Sequence, residues 1–347
     1  MSIFDLVKAP ELTSYWEEHI QDMPPYLGEE LFPADKKLGL KLDWIKGANG
    51  LPVVLKPSAF DAGAVPRARI GFDKLSTQMP FFKESTYIDE ELRQELNMVL
   101  ETGNQAYIDA VTSRVFADEM HLLEGARARR EQMRMMALTT GAIAISANGQ
   151  AYNYDYGIPS GHKSEVTTSW STTTTSDPVE DLRTAMDKIE DDTGVRPTRG
   201  ICTRKTWGYL RKNENIIKSV FVLSNGQVSA LSDARLSQYL MDELGLELII
   251  YGKRYKNDSG TTTQFVPDDT VVLFPAGTLG TTWFGTTPEE SDLMGGKVAN
   301  VSITDTGVAV TTVEKADPVN VETKVTMICL PSFEAADSVY ILDVIKG

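Results

Sequence analysis

At 347 residues, 41% of them hydrophobic, the chain can fill cores for roughly two or three domains. Its 49 acidic residues outnumber 34 basic ones for a net charge of −15, which excludes a dedicated nucleic-acid binder, because neutralising phosphates needs a basic face. Only Cys202 and Cys329 are present, far apart, so a disulfide scaffold is excluded and a reduced, cytosolic compartment is expected. No apolar run approaches the ~20 residues of a membrane helix, and MSIFDLVKAPEL carries acids too early for a secretory signal.

Residues 1–45 hold nine acids against four lysines and are broken by Pro10, Pro24, Pro25 and Pro33. With Tyr15, Trp16, Tyr26, Phe32 and Trp44 as aromatic anchors, they predict short helices and extended pieces that form an arm rather than a domain. Residues 46–86 contain Pro52, Pro57, Pro66 and Pro80 without helical periodicity. Proline is barred from helix interiors and central strands, so a long loop or an open two-stranded arm is predicted. Lys46, Lys56, Arg67, Arg69, Lys74 and Lys83 outnumber Asp61, Asp73 and Glu84 in it. A basic stretch in an acidic protein is either a solvated surface or a docking element for the acidic surface of an identical copy.

From Phe81 to Ile158 there is no proline. A first helix is predicted from Asp89 to about Thr102, stopped by Gly103. Ile108, Val111, Val115, Leu122, Ala126, Met133 and Met136 then recur on one apolar face, predicting a helix over 106–138 that runs about 50 Å. Arg127, Arg129, Arg130 and Arg134 sit toward its end, where positive charge suits the helix dipole. AIAISANGQAYNYDYG (142–157) predicts a hairpin turning at Asn148-Gly149, with Tyr152, Tyr154 and Tyr156 on one face. TTSWSTTTTS (167–176) predicts a domain boundary.

Asp177 as N-cap, Pro178 at the first helical position and Glu180 and Asp181 in the first turn predict a helix that ends at Gly194. Further predicted elements are a strand at 200–202, helices at 204–213 and 232–244, and strands at 246–252, 261–266 and 270–274. This α/β block ends near Phe284. Residues 298–315 and 321–345 are strand-like again, so the two ends of the chain are expected to share one domain with the α/β block inserted.

Catalytic constellations are absent from the sequence pattern. His19, His121 and His162 are the only histidines. Asp118 and His121 have the i, i+3 spacing of half a carboxylate-bridged metal site, but no second copy of it exists. Gly295-Gly296-Lys297 lacks the rest of a phosphate loop, and there is no GxSxG elbow. Cys202 reads as a buried structural thiol. Neither cofactor nor metal is expected.

The order of parts resembles the lambda-like major head proteins of tailed bacteriophages, from about residue 50 onward. DEMHLLEGARARREQMRMMALTTG (118–141) resembles the end of that family's spine helix. TSWSTTTTSDPVEDL (168–182) resembles the entry to its axial domain, and YGKRYKNDSGTTTQFVPDDTVVLFPAGTLG (251–280) its strand–turn–strand. The resemblance implies an α+β chain with the tailed-phage, Hong Kong 97-type capsid fold. Residues 1–45 would be the N-terminal arm and 46–86 the extended loop. A peripheral domain over 87–176 and 285–347, with the spine helix at 106–138, would flank an axial domain at 177–284.

It further implies a non-enzymatic subunit that builds hexamers and pentamers of an icosahedral head around double-stranded DNA. A separate scaffold, a portal and in some relatives a decoration protein are the implied partners; DNA is held without sequence-specific contacts, and no membrane is involved. The virion is the implied location, with assembly in the host cytoplasm. Shell energetics come from buried area, so Trp16, Trp44, Phe81, Phe82 and Trp170 are expected as anchors on neighbouring copies. Lys56, Arg67, Arg69 and Lys74 are expected against acids of another copy. A cargo-holding encapsulin-type shell and a soluble α/β enzyme built on 177–284 are the alternatives.

Overall fold

The computed structural model describes residues 8–46, 73–88, 90, 94, 98, 105–147, 149–221, 230–257, 259–295, 299–316 and 319–347. Its elements begin with α1 (Ala9–Asp22), α2 (Leu27–Leu31), β1 (Ala34–Lys36), β2 (Lys41–Lys46), β3 (Asp73–Gln78), β4 (Phe81–Tyr87) and α3 (Gln105–Thr140). There follow β5 (Ala142–Ala147), β6 (Gln150–Asp155), β7 (Lys163–Glu165), α4 (Pro178–Thr193), β8 (Arg199–Cys202), α5 (Arg204–Lys212), α6 (Glu214–Val220) and α7 (Asp233–Leu244). The last are β9 (Glu247–Ile250), β10 (Arg254–Lys256), β11 (Thr262–Gln264), β12 (Thr270–Phe274), β13 (Thr282–Phe284), β14 (Asn300–Thr304), β15 (Val308–Ala316), β16 (Val319–Pro331) and β17 (Tyr340–Asp343). They divide into two compact units, 1–42 with 76–134 and 281–332, and 43–75 with 135–280 and 333–347.

The first unit is built on β16, thirteen residues long. One side of β16 pairs antiparallel with β15 from Val308↔Met327 to Ala316↔Val319, and β15 carries β14. The other side is shared end to end by two strands. β4 occupies it up to Phe81↔Ile328, and β13 continues from Phe284↔Cys329. β1 adds to β13 in parallel. Helix α1 packs on β14 and β15, burying Leu12 and Trp16 at i, i+4 spacing. β2 and β3 pair as a separate two-stranded ribbon; most of 46–86, where a long loop or open two-stranded arm is expected, lies outside the described residues, as does most of the helix expected at 89–102, of which residues 90, 94 and 98 are helical.

The second unit has a five-stranded sheet in the order β7-β17-β12-β8-β9. All five residues of β12, TVVLF, are buried, as a central strand covered on both faces requires. α4 begins as predicted: the Asp177 carboxylate accepts from the Glu180 N–H, and Gly194 closes the helix in the left-handed region at φ 74°. Trp170, Leu182, Met186, Trp207, Leu210 and Leu240 sit in its core. β5 and β6 form the expected hairpin, in which the Tyr152 and Tyr154 rings stack at 6.2 Å.

Residues 167–176, where a domain boundary is expected, are held by Trp170, whose backbone N–H donates to the Val344 carbonyl at 2.9 Å. Its indole Nε1 donates to Asp181 at 2.8 Å. The single apolar ring in a Ser/Thr run is thereby drawn into the core. Two expectations are corrected. The C-terminal stretch is split. β16 ends at Pro331, and β17 pairs with β12 instead, so residues 333–347 belong with the α/β block. The apolar face of β17 is buried there, and nothing in its short pattern distinguishes one sheet from the other. Finally, helix α3 covers the predicted span, but Leu122 is only half-buried while Leu123 is in the core.

Candidate assembly surfaces

The shift in register on α3 has a polar cause. Arg127, Arg130 and Arg134, spaced three and four residues apart, lie on its buried face. They sit more than one turn from the helix end, beyond the reach of a dipole effect. Their partners come from the segment that follows α1, from β13 and from the β14–β15 turn. Arg127 clasps Glu29 bidentately, Nε to Oε1 at 2.7 Å and an outer nitrogen to Oε2 at 2.9 Å, and its guanidinium lies 4.9 Å from the Tyr26 ring centre. Arg134 Nε donates to Thr282 Oγ1 at 2.9 Å, whose hydroxyl donates in turn to the Phe32 carbonyl at 2.9 Å.

Glu131, fully buried, accepts the Gly28 N–H at 3.1 Å. A Cβ on Gly28 would collide with Glu131 Oε2, so glycine lets α2 approach the spine this closely. Arg130 pairs with Asp305, whose other oxygen accepts from Trp16 Nε1 at 3.1 Å. Asp305 (φ 46°) and Thr306 (φ 73°) are both left-handed in the β14–β15 turn. That conformation is costly for residues with a Cβ, and the two hydrogen bonds to Asp305 hold it.

The charges respond accordingly. Burial pushes the Glu29 carboxyl up, but the Arg127 hydrogen bond and charge outweigh it, leaving Glu29 below its ordinary range. The Glu29 hydrogen bond raises Arg127. Burial, followed by the charge of Arg130, lowers Arg134.

The residues expected to contact neighbours separate into groups. Trp16 and Trp170 are both 0% exposed within their own units, so as anchors on another copy they are withdrawn: each finds a carboxylate for its N–H and apolar cover at home. Phe81 is 39% exposed at the end of β4. Phe82 is half-buried, with the Arg129 guanidinium 6.0 Å from its ring centre. Lys56, Arg67 and Arg69 lie outside the described residues. Trp44 lies on β2 and Lys74 on β3, and the side chains of both fall outside the described ones.

Two candidates were missed by the sequence reading. Leu38 is 86% and Leu40 44% exposed. The Leu40 carbonyl accepts from the Met79 N–H at 2.9 Å, two residues before Phe81, so the three exposed apolar side chains are at the base of the ribbon. An LGL tripeptide between Lys37 and Lys41 is the signal that marks them: apolar residues at a glycine turn, flanked by charge.

Chemistry-bearing side chains are placed elsewhere. His121 is exposed with Nδ1 3.1 Å from Glu124, and His162 is buried with Nε2 2.9 Å from Asp192. Burial pushes the Cys202 thiol up to about 12 and Cys329 to about 11, which keeps both protonated and unreactive. Among the described residues no group of three or more His, Cys, Asp or Glu is placed to hold a metal ion, and no helix is long and apolar enough to cross a membrane.

A family model described as phage major capsid protein E matches residues 8–344. No curated protein matches. Among solved structures, the chain is similar to a phage-related protein from Bordetella bronchiseptica RB50, at 13% identity over 97% of each chain with a TM-score of 0.57. It is also similar to a prophage protein of E. coli CFT073, at 18% identity over 79% of this chain and 80% of that one, TM-score 0.54. The capsid subunit of cyanophage A-1(L) is 11% identical over 92% of each chain, TM-score 0.50. At these identities the likeness shows the fold, which is that of tailed-phage capsid proteins.

Proposed function

We propose, since this chain belongs to the phage major capsid protein E family and is a structural subunit of a virion shell, that its copies assemble as hexamers and pentamers into an icosahedral head around double-stranded DNA. The match across residues 8–344 carries this reading. The net charge of −15 supports DNA as contents, because an acidic container does not hold the genome by its phosphates. Assembly takes place in the host cytoplasm with a separate scaffold and a portal, and a decoration protein is a further partner.

Contacts between copies are made by Phe81 and Phe82, by Trp44, and by Lys56, Arg67, Arg69 and Lys74 of the extended segment. Leu38 and Leu40 extend the apolar part of that surface. An exposed apolar group rimmed by charge is the usual form of a protein interface, and repetition over a closed shell makes weak contacts collectively strong. The test is to express the chain with its scaffold and examine the product by negative-stain microscopy and nuclease protection. Closed shells with protected DNA are expected. A small soluble oligomer would overturn the reading, and shells filled with protein would replace it with a cargo container.

A further inference from the structure

We propose that the single π-turn at Glu289–Leu293 is a releasable clamp on the two roots of the β2–β3 ribbon, so that β1, which leads into the ribbon, and β4, which leads out of it, loosen together.

The turn is placed to reach both roots. β13 ends at Phe284, beside Lys36 of β1, and the chain then passes between the two. The Gly285 N–H donates to the Ile328 carbonyl at 2.8 Å. A Cβ on Gly285 would stand 2.8 Å from the Gly39 carbonyl oxygen, just after β1, and 3.0 Å from Met79 Cε, just before β4, so glycine is what lets the chain through. Thr287, fully buried, opens the turn by accepting the Glu290 N–H at 3.2 Å. Two consecutive carboxylates then part to opposite roots. Glu290 pairs with Lys36. Glu289, 5% exposed, accepts from the Thr326 hydroxyl at 3.1 Å and lies 3.6 Å from Lys83. Lys83 stands directly opposite Thr326 in the β4–β16 ladder, so carboxylate, hydroxyl and ammonium meet on one face of the sheet.

The same layer is under-bonded. Glu290 Oε2, Thr286 Oγ1 and Thr311 Oγ1 are buried and make no hydrogen bond to the described residues. A buried carboxylate oxygen without a donor is costly, and lifting the turn exposes it to water. The two lysines supply the opposing term. Their side chains are 31% and 48% exposed, where water and salt weaken an ion pair. Attraction at both ends against an under-bonded middle makes a two-state element. With one lysine neutralised the remaining pair no longer holds the turn down, and the other root loses its pin. Single π-turns are frequent at functional positions. The Leu40 carbonyl accepts the Met79 N–H at 2.9 Å, which ties the roots to each other; the clamp is what ties both to the sheet.

Amide exchange of the unassembled full-length chain tests the coupling. The Lys37 and Thr282 amides, which donate to the Phe284 and Pro33 carbonyls at 2.8 Å each, report β1, and the amides of residues 81–84 report β4. Lys36→Met should speed exchange about threefold or more at β1 and by a similar factor at β4. Lys83→Met should do the same from the other side, because coupling is reciprocal. Combining the two should add little, since either alone opens the clamp. Lys36→Arg, which keeps the charge, should retain wild-type rates. Lys315→Met removes an ion pair with Glu322 on the same sheet, away from the turn, and should leave β1 unchanged. Effects confined to the substituted strand, a double variant whose effect is the product of the singles, or faster exchange spread over α1, β14 and β15 would each overturn the inference.

Discussion

The two units are held by opposite means. In the second, Trp170, Trp207, Leu182 and Leu240 form an apolar centre, and the ion pairs that Arg183, Lys188 and Arg196 make on α4 lie at the surface. In the first, Arg127, Arg130, Arg134 and Glu131 are buried under the segment that joins α1 to β1. Apolar burial is non-directional and tolerates adjustment. A buried charge needs one partner in one geometry, and losing that partner is costly. The second unit is therefore specified by composition and pattern, the first by individual pairings. A polar seam of this kind favours a single docked position for the N-terminal segment over nearby alternatives.

Substitutions can break that contrast. The largest effect is expected from Glu131→Ala, which leaves Arg134 buried beside a lost carboxylate and should cost about 3–5 kcal/mol, read by urea denaturation of the unassembled chain. Equal stability of variant and wild type would show that the seam is not what holds the first unit. Gly28→Ala comes next. Its Cβ meets Glu131, and displacing α2 should cost about 1–3 kcal/mol, visible as faster amide exchange over residues 26–32 with α4 to α7 unchanged. The smallest is Arg183→Ala in the second unit, whose exposed pairs with Glu180 and Glu243 should contribute about 0–1 kcal/mol.

Acid sharpens the same comparison. Glu29 is held below its ordinary range by Arg127 in the folded chain, so its stabilising contribution is full above the unfolded value, about 4.3. It is lost as pH falls through the lower folded value. Urea midpoints measured from pH 7 downward should drop less for Glu29→Gln than for wild type in that window. Parallel curves would mean the pair contributes nothing to folding.

Local signals in the sequence were legible where chemistry repeats or caps. The spine helix, predicted over 106–138, spans Gln105–Thr140, and the Asp177-Pro178 start of α4 is as expected. Two kinds of information were not local. The periodicity of α3 runs through apolar residues alone, which puts Leu122 in the place of Leu123, and arginines that bury their guanidiniums are assigned by the sequence to the helix dipole. β17 follows β16 closely in sequence, yet it pairs with β12 some seventy residues earlier, a choice made by long-range register. The missed surface, Leu38 and Leu40, was hidden for the reverse reason: isolated leucines beside lysines look ordinary until their exposure is known. Trp16 and Trp170 illustrate the other error, since a tryptophan in polar sequence is as well suited to a core with one carboxylate as to an interface.

The shared edge of β16 has a mechanical consequence. The extended segment re-enters the first unit through β4, whose seven residues run antiparallel to β16 from Phe81↔Ile328 to Tyr87↔Glu322. Hydrogen bonds in such a ladder lie perpendicular to the strands. A pull along the extended segment therefore loads them together in shear rather than opening them one by one. Because β13 takes up the same edge where β4 stops, the strand that bears the tension is braced along its full length, and a tug on the loop reaches the whole sheet as a stiff body.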